Sequence, residues 1–258
     1  MSKTILLCRC AHAGRIDAQQ HATLKTALVN AGWSVETVDD LCGLAVESPD
    51  ALAQLATQAD TLVACHDRAL RWLLDRAGVG AEALPRFLNL MAGTAANLAQ
   101  ELGVSVEGID AQAEPQPEAP AWQPWYPVVD YDRCIGCMQC ASFCLFGVYS
   151  KDENNRLKVV YPQGCKNLCP ACARICPEAA IIFPKLDESP YNGEPIGDET
   201  ELKKRIQNQV DQVLGSDIYA ALAERRKKAK QRLLREDALK QAEAERARCA
   251  AKTDGENE

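Results

Sequence analysis

The sequence predicts an α/β domain with a parallel sheet, then a small cysteine-rich α+β domain, and then a helical C-terminal tail. Three observations predict this order. Strand and helix patterns alternate between residues 3 and 110. Eight of the thirteen cysteines lie in two short runs within residues 132–184. Residues 220–251 consist almost wholly of Ala, Glu, Lys, Arg, Gln and Leu, which favour helix but are too polar to form a core.

Five short apolar runs and four segments of helical periodicity make up the first 110 residues. The candidate strands are residues 4–8, 33–38, 60–65, 87–90 and 104–109. The candidate helices are residues 18–31, 49–58, 68–77 and 94–102. Because strands and helices alternate, we expect a parallel sheet whose consecutive strands are joined by helices.

Four cysteines of this domain lie at or just beyond the carboxyl ends of candidate strands. The first strand is followed by Cys8 and Cys10, the second by Cys42 and the third by Cys65. Ligand sites of open α/β sheets lie at those strand ends. Two interpretations are therefore open: a metal or redox site formed by the four thiols, or buried cysteines that pack as small apolar residues.

Residues 111–127 predict a stiff linker, since five prolines are spread along them. Three aromatic residues, Trp122, Trp125 and Tyr126, are unusual in a linker that has no contacts of its own. We expect these side chains to dock the linker onto one of the domains.

Two runs of four cysteines follow the linker. They contain Cys134, Cys137, Cys140 and Cys144, and then Cys165, Cys169, Cys172 and Cys176. Three thiolates at such short spacing wrap the backbone around one [4Fe–4S] cubane, while a fourth arrives from elsewhere. A zinc module would instead use two CxxC pairs about 12 to 20 residues apart. Disulfides would need an oxidising compartment. The spacing therefore favours cubanes.

These runs resemble the bacterial-type two-cluster ferredoxins, through Cys134-x-x-Cys137-x-x-Cys140-x-x-x-Cys144 and the closing Cys176-Pro177-Glu178-Ala179-Ala180-Ile181. In such ferredoxins the fourth cysteine of each run binds the cluster of the other run. The resemblance thus implies one cluster on Cys134, Cys137, Cys140 and Cys176, and a second on Cys165, Cys169, Cys172 and Cys144. It also implies a ferredoxin-like α+β fold and low-potential clusters that pass single electrons.

Two positions depart from the ferredoxin pattern. Leu145 stands where the family usually has proline, and three residues rather than two separate Cys165 from Cys169. Between the runs, residues 148–150 and 157–161 flank a turn-forming segment and predict a hairpin that shields the clusters.

The N-terminal cysteine segments resemble the amino-terminal domain of the heterodisulfide reductase A subunit. The similarity lies in Ile5-Leu6-Leu7-Cys8-Arg9-Cys10, Leu41-Cys42 and Val63-Ala64-Cys65. In that family the domain carries cysteines associated with an iron–sulfur site and sits in flavin-containing electron-transfer complexes. The resemblance implies a third iron–sulfur cluster held by Cys8, Cys10, Cys42 and Cys65, and a flavin-containing redox partner.

The C-terminal tail carries a dense basic run at residues 225–235. One interpretation is a solvated helix face, and another is docking onto an acidic redox partner by electrostatic complementarity. No zinc finger, RNA-recognition signature or stacking platform accompanies the run, so we expect no nucleic-acid binding. The predicted boundaries are residues 1–110 for the α/β domain, 111–127 for the linker, 128–199 for the two-cluster domain and 200–258 for the tail.

The composition is that of a globular protein, with 47% hydrophobic and 25% charged residues and a formal net charge of −7. No apolar run approaches the roughly 18 residues of a transmembrane helix, so we expect no membrane span. The N terminus lacks the basic and apolar segments and the cleavage site of a secretory signal, and we expect a cytoplasmic protein.

The cysteine runs predict an electron-transfer protein that passes single electrons through two [4Fe–4S] clusters. We expect it to serve as a subunit or dedicated carrier of a cytoplasmic oxidoreductase, with redox partner proteins, rather than as a catalyst on its own. One alternative is a thiol-active redox enzyme subunit that uses the cysteines of the N-terminal domain. Another is an iron–sulfur scaffold or sensor.

Overall fold

A parallel four-stranded sheet organises the N-terminal region of the computed structural model, which describes residues 3–214 and residue 224. Its strands are β1 (Thr4–Cys8), β2 (Ser34–Val38), β3 (Thr61–Ala64) and β4 (Arg86–Asn89). They are arranged in the order β2-β1-β3-β4, and every neighbouring pair is parallel. The central strand β1 carries Ile5, Leu6 and Leu7, which are fully buried. The prediction of a parallel sheet is confirmed.

Five helices cover this sheet. They are α1 (Ala18–Asn30), α2 (Leu41–Glu47), α3 (Pro49–Gln58), α4 (Asp67–Arg76) and α5 (Ala95–Leu102). Helix α1 packs with α5, while α2, α3 and α4 pack with one another. The chain moves along the sheet in one direction from β1 to β2, and in the opposite direction from β2 to β3 and β4. Because the crossovers are right-handed, α1 lies on one face of the sheet and the α2–α4 group on the other.

Two parts of this region differ from the sequence prediction. Helix α2 was not predicted, although the Asp40 side chain accepts a hydrogen bond from Gly43 N–H and caps its first turn. The expected strand at residues 104–109 is wrong. Gly103 ends α5 in the left-handed conformation, at φ +75°, and the chain then runs as a loop whose Val104 and Val106 pack against the core without pairing.

The cysteine-rich region contains two small antiparallel strand pairs and two short helices. Strand β5 (Val128–Val129) pairs with β8 (Ile181–Ile182), and β6 (Tyr149–Lys151) pairs with β7 (Leu157–Val159). The second pair confirms the predicted hairpin. Helix α6 (Gln139–Phe143) carries Cys140 of the first run, and α7 (Ala171–Arg174) carries Cys172 of the second.

The linker aromatics join the cysteine-rich region to the N-terminal core. Trp125 and Tyr126 are buried, and Tyr126 belongs to the same apolar cluster as the sheet residues. The Trp125 ring stacks on Phe183 with centroids 5.2 Å apart, and its Nε1 donates to the Cys169 carbonyl at 3.5 Å. The Tyr126 hydroxyl donates to the Cys42 carbonyl at 2.7 Å. The prediction that these side chains dock the linker is confirmed.

Helix α4 makes the main polar contact between the two regions. The Arg68 guanidinium donates to Asp130 Oδ2 at 2.7 Å, to the Ala179 carbonyl at 2.6 Å, and to two further carbonyls. One turn later, Trp72 meets Tyr131 edge-on with centroids 5.5 Å apart. The described residues up to Gln209 accordingly form one compact unit, and the predicted domain boundaries within it stay predictions.

The last described element is α8 (Glu199–Leu214). The basic run at residues 225–235 lies outside the described residues. Among the helices that are described, none combines the length and the apolar character that a membrane-spanning helix requires.

Candidate metal centres

One group of thiols draws three cysteines from the first run and one from the second. Cys134, Cys137, Cys140 and Cys176 all line one cavity. Cys140 lies in α6, and Cys176 follows α7 directly before the turn into β8. Burial, together with the neighbouring Cys176, Cys137 and Cys134, raises the pKa of Cys140 to about 12. The loop and the two helices therefore hold four mutually close sulfurs around one cavity.

Backbone geometry around this cavity is suited to a negatively charged sulfur group. Ala180 N–H donates to Cys176 Sγ at 3.3 Å, which is the N–H···S bond that stabilises cluster thiolates. Gly136 and Met138 adopt left-handed conformations, at φ +69° and +60°, so the loop curls back on itself between the cysteines. This conformation is uncommon for a residue with a side chain and indicates a loop that its surroundings hold in place.

A second group of thiols draws three cysteines from the second run and one from the first. Burial, together with Cys144 and Cys169, raises the pKa of Cys165 to about 12. Burial also raises the pKa of Cys172, and Cys140, Cys165 and Cys144 act on it in the same direction. Cys144 of the first run thus lies near Cys165 and Cys172 of the second.

The extra residue before Cys169 is accommodated without displacing Cys165 from this group. Leu168 takes the left-handed conformation, at φ +58°, and is 74% exposed. The longer loop therefore bulges into solvent while its two cysteines remain beside Cys144. Leu145, which stands in place of the usual proline, is also an exposed apolar residue.

Tyr149 lies between the two groups. Its hydroxyl donates to Cys172 Sγ at 3.1 Å. Burial raises the pKa of Tyr149, and Cys172, Cys140 and Cys144 raise it further, so sulfurs of both groups surround the phenol. The phenol therefore stays protonated and available as a donor to sulfur. Sequence reasoning missed this residue, because a tyrosine in a predicted hairpin carries no local sign of a sulfur partner.

The four N-terminal cysteines also converge. Cys8 is the last residue of β1, Cys65 directly follows β3, and Cys42 is the second residue of α2. The strand order reverses between β1 and β3, and such switch points are where open α/β sheets bind ligands. Arg9 N–H and Ala11 N–H donate to the carbonyls of Val38 and Asp39, which holds the loop containing Cys10 against the end of β2.

The four thiols act on one another electrostatically. Burial raises the pKa of Cys8, and Cys10 raises it further. Burial, together with Cys10, raises the pKa of Cys65 to about 12, and burial also raises the pKa of Cys42. Cys10 N–H donates to Cys8 Sγ at 3.4 Å, from a left-handed backbone at φ +47°. The sequence expectation that the four would meet at the strand ends agrees with this placement.

Two charged residues complete this N-terminal thiol pocket, which we define as Cys8, Cys10, Cys42 and Cys65. The Asp40 carboxylate raises the pKa of every one of these thiols. The Lys185 ammonium forms an ion pair with Asp40 and acts on Cys42 and Cys10 in the opposite direction. Sequence reasoning missed both, although Asp40 directly before Leu41 is a recognisable helix N-cap.

Neither disulfides nor a single-ion site occur in the described part of the chain. None of the twelve cysteines described there is in a disulfide. No three His, Cys, Asp or Glu side chains of the described residues are close enough to share one metal ion. In a cubane each thiolate binds its own iron atom, so the four sulfurs lie farther apart than the ligands of a single ion.

Comparison with known proteins bears on the cysteine runs. Residues 126–149 match a family model described as a 4Fe-4S binding domain, which includes the whole first run. The middle of the chain is a 4Fe–4S ferredoxin-type domain. An uncharacterized ferredoxin of Methanocaldococcus jannaschii is 51% identical over 61 residues, which cover 23% of this chain and 41% of the relative. The pyruvate synthase subunit PorD of the same organism is 37% identical over 57 residues, covering 20% of this chain and 66% of the relative.

The matched stretch spans less than two thirds of each of these relatives. No solved structure matches the chain. The ferredoxin-type domain confirms the prediction of an iron–sulfur protein that binds 4Fe–4S and transports electrons. The resemblance of the N-terminal domain to the heterodisulfide reductase A subunit stays a prediction.

Proposed function

We propose that the chain carries single electrons through two [4Fe–4S] clusters. One cluster would be held by Cys134, Cys137, Cys140 and Cys176, and the other by Cys165, Cys169, Cys172 and Cys144. The observation that carries the proposal is the composition of the two thiol groups. Each group combines three cysteines of one run with one cysteine of the other. That exchange is typical of proteins with two cubanes.

Each cluster supplies one-electron redox chemistry, and the residues of this chain set its conditions. The thiolates bind the iron atoms, while the burial of Cys140, Cys172 and Cys176 limits access of water. Backbone N–H groups and the Tyr149 hydroxyl donate to the ligand sulfurs. Such donors stabilise the more negative, reduced state and so raise the reduction potential.

A partner-bound role is supported by the surface around the cysteines and by one relative. Ile135, Leu145 and Leu168 are each at least 65% exposed. Exposed apolar residues beside a functional site usually mark a contact with another protein. The relative PorD is a subunit of pyruvate synthase. We therefore propose that this chain serves as a subunit or dedicated carrier of a larger oxidoreductase. Its cytoplasmic location and a flavin-containing redox partner stay predictions from the sequence.

The cluster count is tested by metal analysis of anaerobically purified full-length protein. We expect at least eight iron and eight acid-labile sulfide per chain, because eight thiols are grouped for two cubanes. Inductively coupled plasma analysis and a sulfide assay measure both quantities. Zinc in place of iron, with no labile sulfide, would contradict the proposal.

A third cluster in the N-terminal thiol pocket is the second part of the proposal. It is supported by the convergence of Cys8, Cys10, Cys42 and Cys65 at the switch point of the sheet. A cubane needs four cysteine ligands, and four thiols meet here, whereas a thiol-active enzyme needs only one or two. The pocket thus favours metal binding over the alternative of a thiol-active enzyme.

For this third cluster we expect twelve iron per chain in the full-length protein and eight in the Cys42→Ser variant. Serine keeps the size of the side chain but is a poor ligand for iron of a cubane, so only the N-terminal cluster should be lost. Cys249→Ser is the matched control, since the sequence assigns Cys249 to no cluster. Equal iron in the wild type and Cys42→Ser would remove the third cluster from the proposal.

A further inference from the structure

A lysine of the ferredoxin-type domain reaches into the N-terminal thiol pocket. Lys185 lies shortly after β8, and its side chain is only 8% exposed. It lines one small pocket together with Cys42, Trp125 and Tyr126. An ammonium group loses most of its hydration in such a position, so its partners there have to replace that hydration.

The Lys185 partner is an equally buried carboxylate. Asp40 is 5% exposed and forms an ion pair with Lys185 through Oδ2. Its other oxygen, Oδ1, accepts a hydrogen bond from Gly43 N–H at 3.1 Å. Asp40 therefore fixes two things at once: the first turn of α2, which carries Cys42, and the position of the Lys185 ammonium.

A buried ion pair is weak support for stability, because desolvation of the two ions offsets most of their attraction. This pair has a more specific electrostatic effect. Asp40 alone would place a buried negative charge at the start of α2, two residues before Cys42. Lys185 offsets that charge from a position where it lines one small pocket with Cys42. The ferredoxin-type domain thus supplies the buried positive charge of a pocket whose sulfurs all belong to the other domain.

We propose that Lys185 is a positioning residue that balances the charge of an iron–sulfur cluster in the N-terminal thiol pocket. This inference rests on the proposed third cluster. Four thiolates give a cubane a net negative charge that increases by one on reduction, and net charge is one of the factors that set the reduction potential. The docked ferredoxin-type domain therefore makes the N-terminal cluster easier to reduce.

The test uses the full-length protein and three variants. Lys185→Met removes the charge and keeps the length of the side chain, whereas Lys185→Arg keeps the charge. Lys25→Met is the matched control, because Lys25 also pairs with a carboxylate, that of Glu114, away from the thiols. Iron content and a mediated redox titration followed by electron paramagnetic resonance are measured for each, with the signal missing from Cys42→Ser taken as that of the N-terminal cluster.

In Lys185→Met we expect the equilibrium constant for reduction of the N-terminal cluster to fall at least tenfold, which is 59 mV for a one-electron couple. The other two clusters should keep their potentials. Lys185→Arg and Lys25→Met should both match the wild type. If Lys185→Met loses the N-terminal iron altogether, recovery of that iron in Lys185→Arg supports the charge requirement.

An unshifted potential in Lys185→Met would overturn the role of Lys185 while leaving the third cluster in place. Loss of the N-terminal iron from both Lys185 variants would also overturn it, because the shape of the side chain would then matter and not its charge. Wild-type protein with only eight iron would instead remove the third cluster itself, and the role of Lys185 with it. The iron content of the wild type therefore distinguishes a failure of the proposed third cluster from a failure of the proposed role of Lys185.

Discussion

The Cys140→Ala variant is expected to lose four iron and four sulfide per chain and to melt at least about 10 °C below the wild type. Cys140 is buried in α6 and lines the cavity shared with Cys134, Cys137 and Cys176. A region with such short strands and helices depends on its metal, because the free energy of metal binding is then also free energy of folding. That contribution is on the order of 10 kcal/mol for structural zinc in small peptides.

Metal analysis and anaerobic thermal unfolding measure the two effects on Cys140→Ala. Cys249→Ala is the control for removing a thiol as such, and it should retain the iron and the melting temperature of the wild type. Unchanged iron in Cys140→Ala would remove Cys140 from the ligand set. Loss of all iron would mean that the two clusters of the ferredoxin-type domain assemble only together, which is a stronger coupling than we expect.

Arg68→Met is expected to lower the free energy of unfolding by about 3 to 5 kcal/mol, the usual effect of breaking a buried ion pair. Arg68 binds Asp130 and three backbone carbonyls of the ferredoxin-type domain. The Asp130 side chain is 4% exposed, so its carboxylate would be left buried without its cation. For a unit of this size the melting temperature should fall by about 10 °C.

The same helix provides the control for Arg68. Arg71 pairs with Asp132 at 2.9 Å, but both side chains are largely exposed. Exposed pairs contribute about 0 to 1 kcal/mol, so Arg71→Met should change the melting temperature little. The double variant Arg68→Met/Asp130→Asn should recover part of the loss, because no lone charge remains buried. Equal effects of Arg68→Met and Arg71→Met would contradict the importance of burial at Arg68.

Local patterns were enough to predict the parallel sheet and the ferredoxin-type domain. The periodicity of apolar residues, the turn residues and the cysteine spacing are patterns that extend over a few neighbouring residues. Strand β1 and helix α3 begin and end at the residues that those patterns predict. The linker aromatics were predicted to dock because exposed tryptophans are costly in any fold. The ligand sets of the clusters and the domain boundaries stay predictions.

Contacts between distant residues could not be predicted in this way. The partners Lys185 and Asp40 are 145 residues apart, and Arg68 meets Asp130 across 62 residues. No local periodicity relates such positions, since only the packing of the two regions brings them together. The strand expected at residues 104–109 also failed on a contact between distant residues: its valines alternate, but Val104 and Val106 pack against the core while the segment pairs with no strand of the sheet.

The aromatic contacts of the linker decide how this chain can deliver electrons. Many multidomain oxidoreductases use a mobile arm that travels between the site where it is loaded and the site where it discharges. Trp125 and Tyr126 are instead fastened to Phe183 and to the Cys42 carbonyl, on both sides of the connection. The linker therefore holds the N-terminal region and the ferredoxin-type domain at a fixed separation within one compact unit, and a redox partner has to bind to that unit.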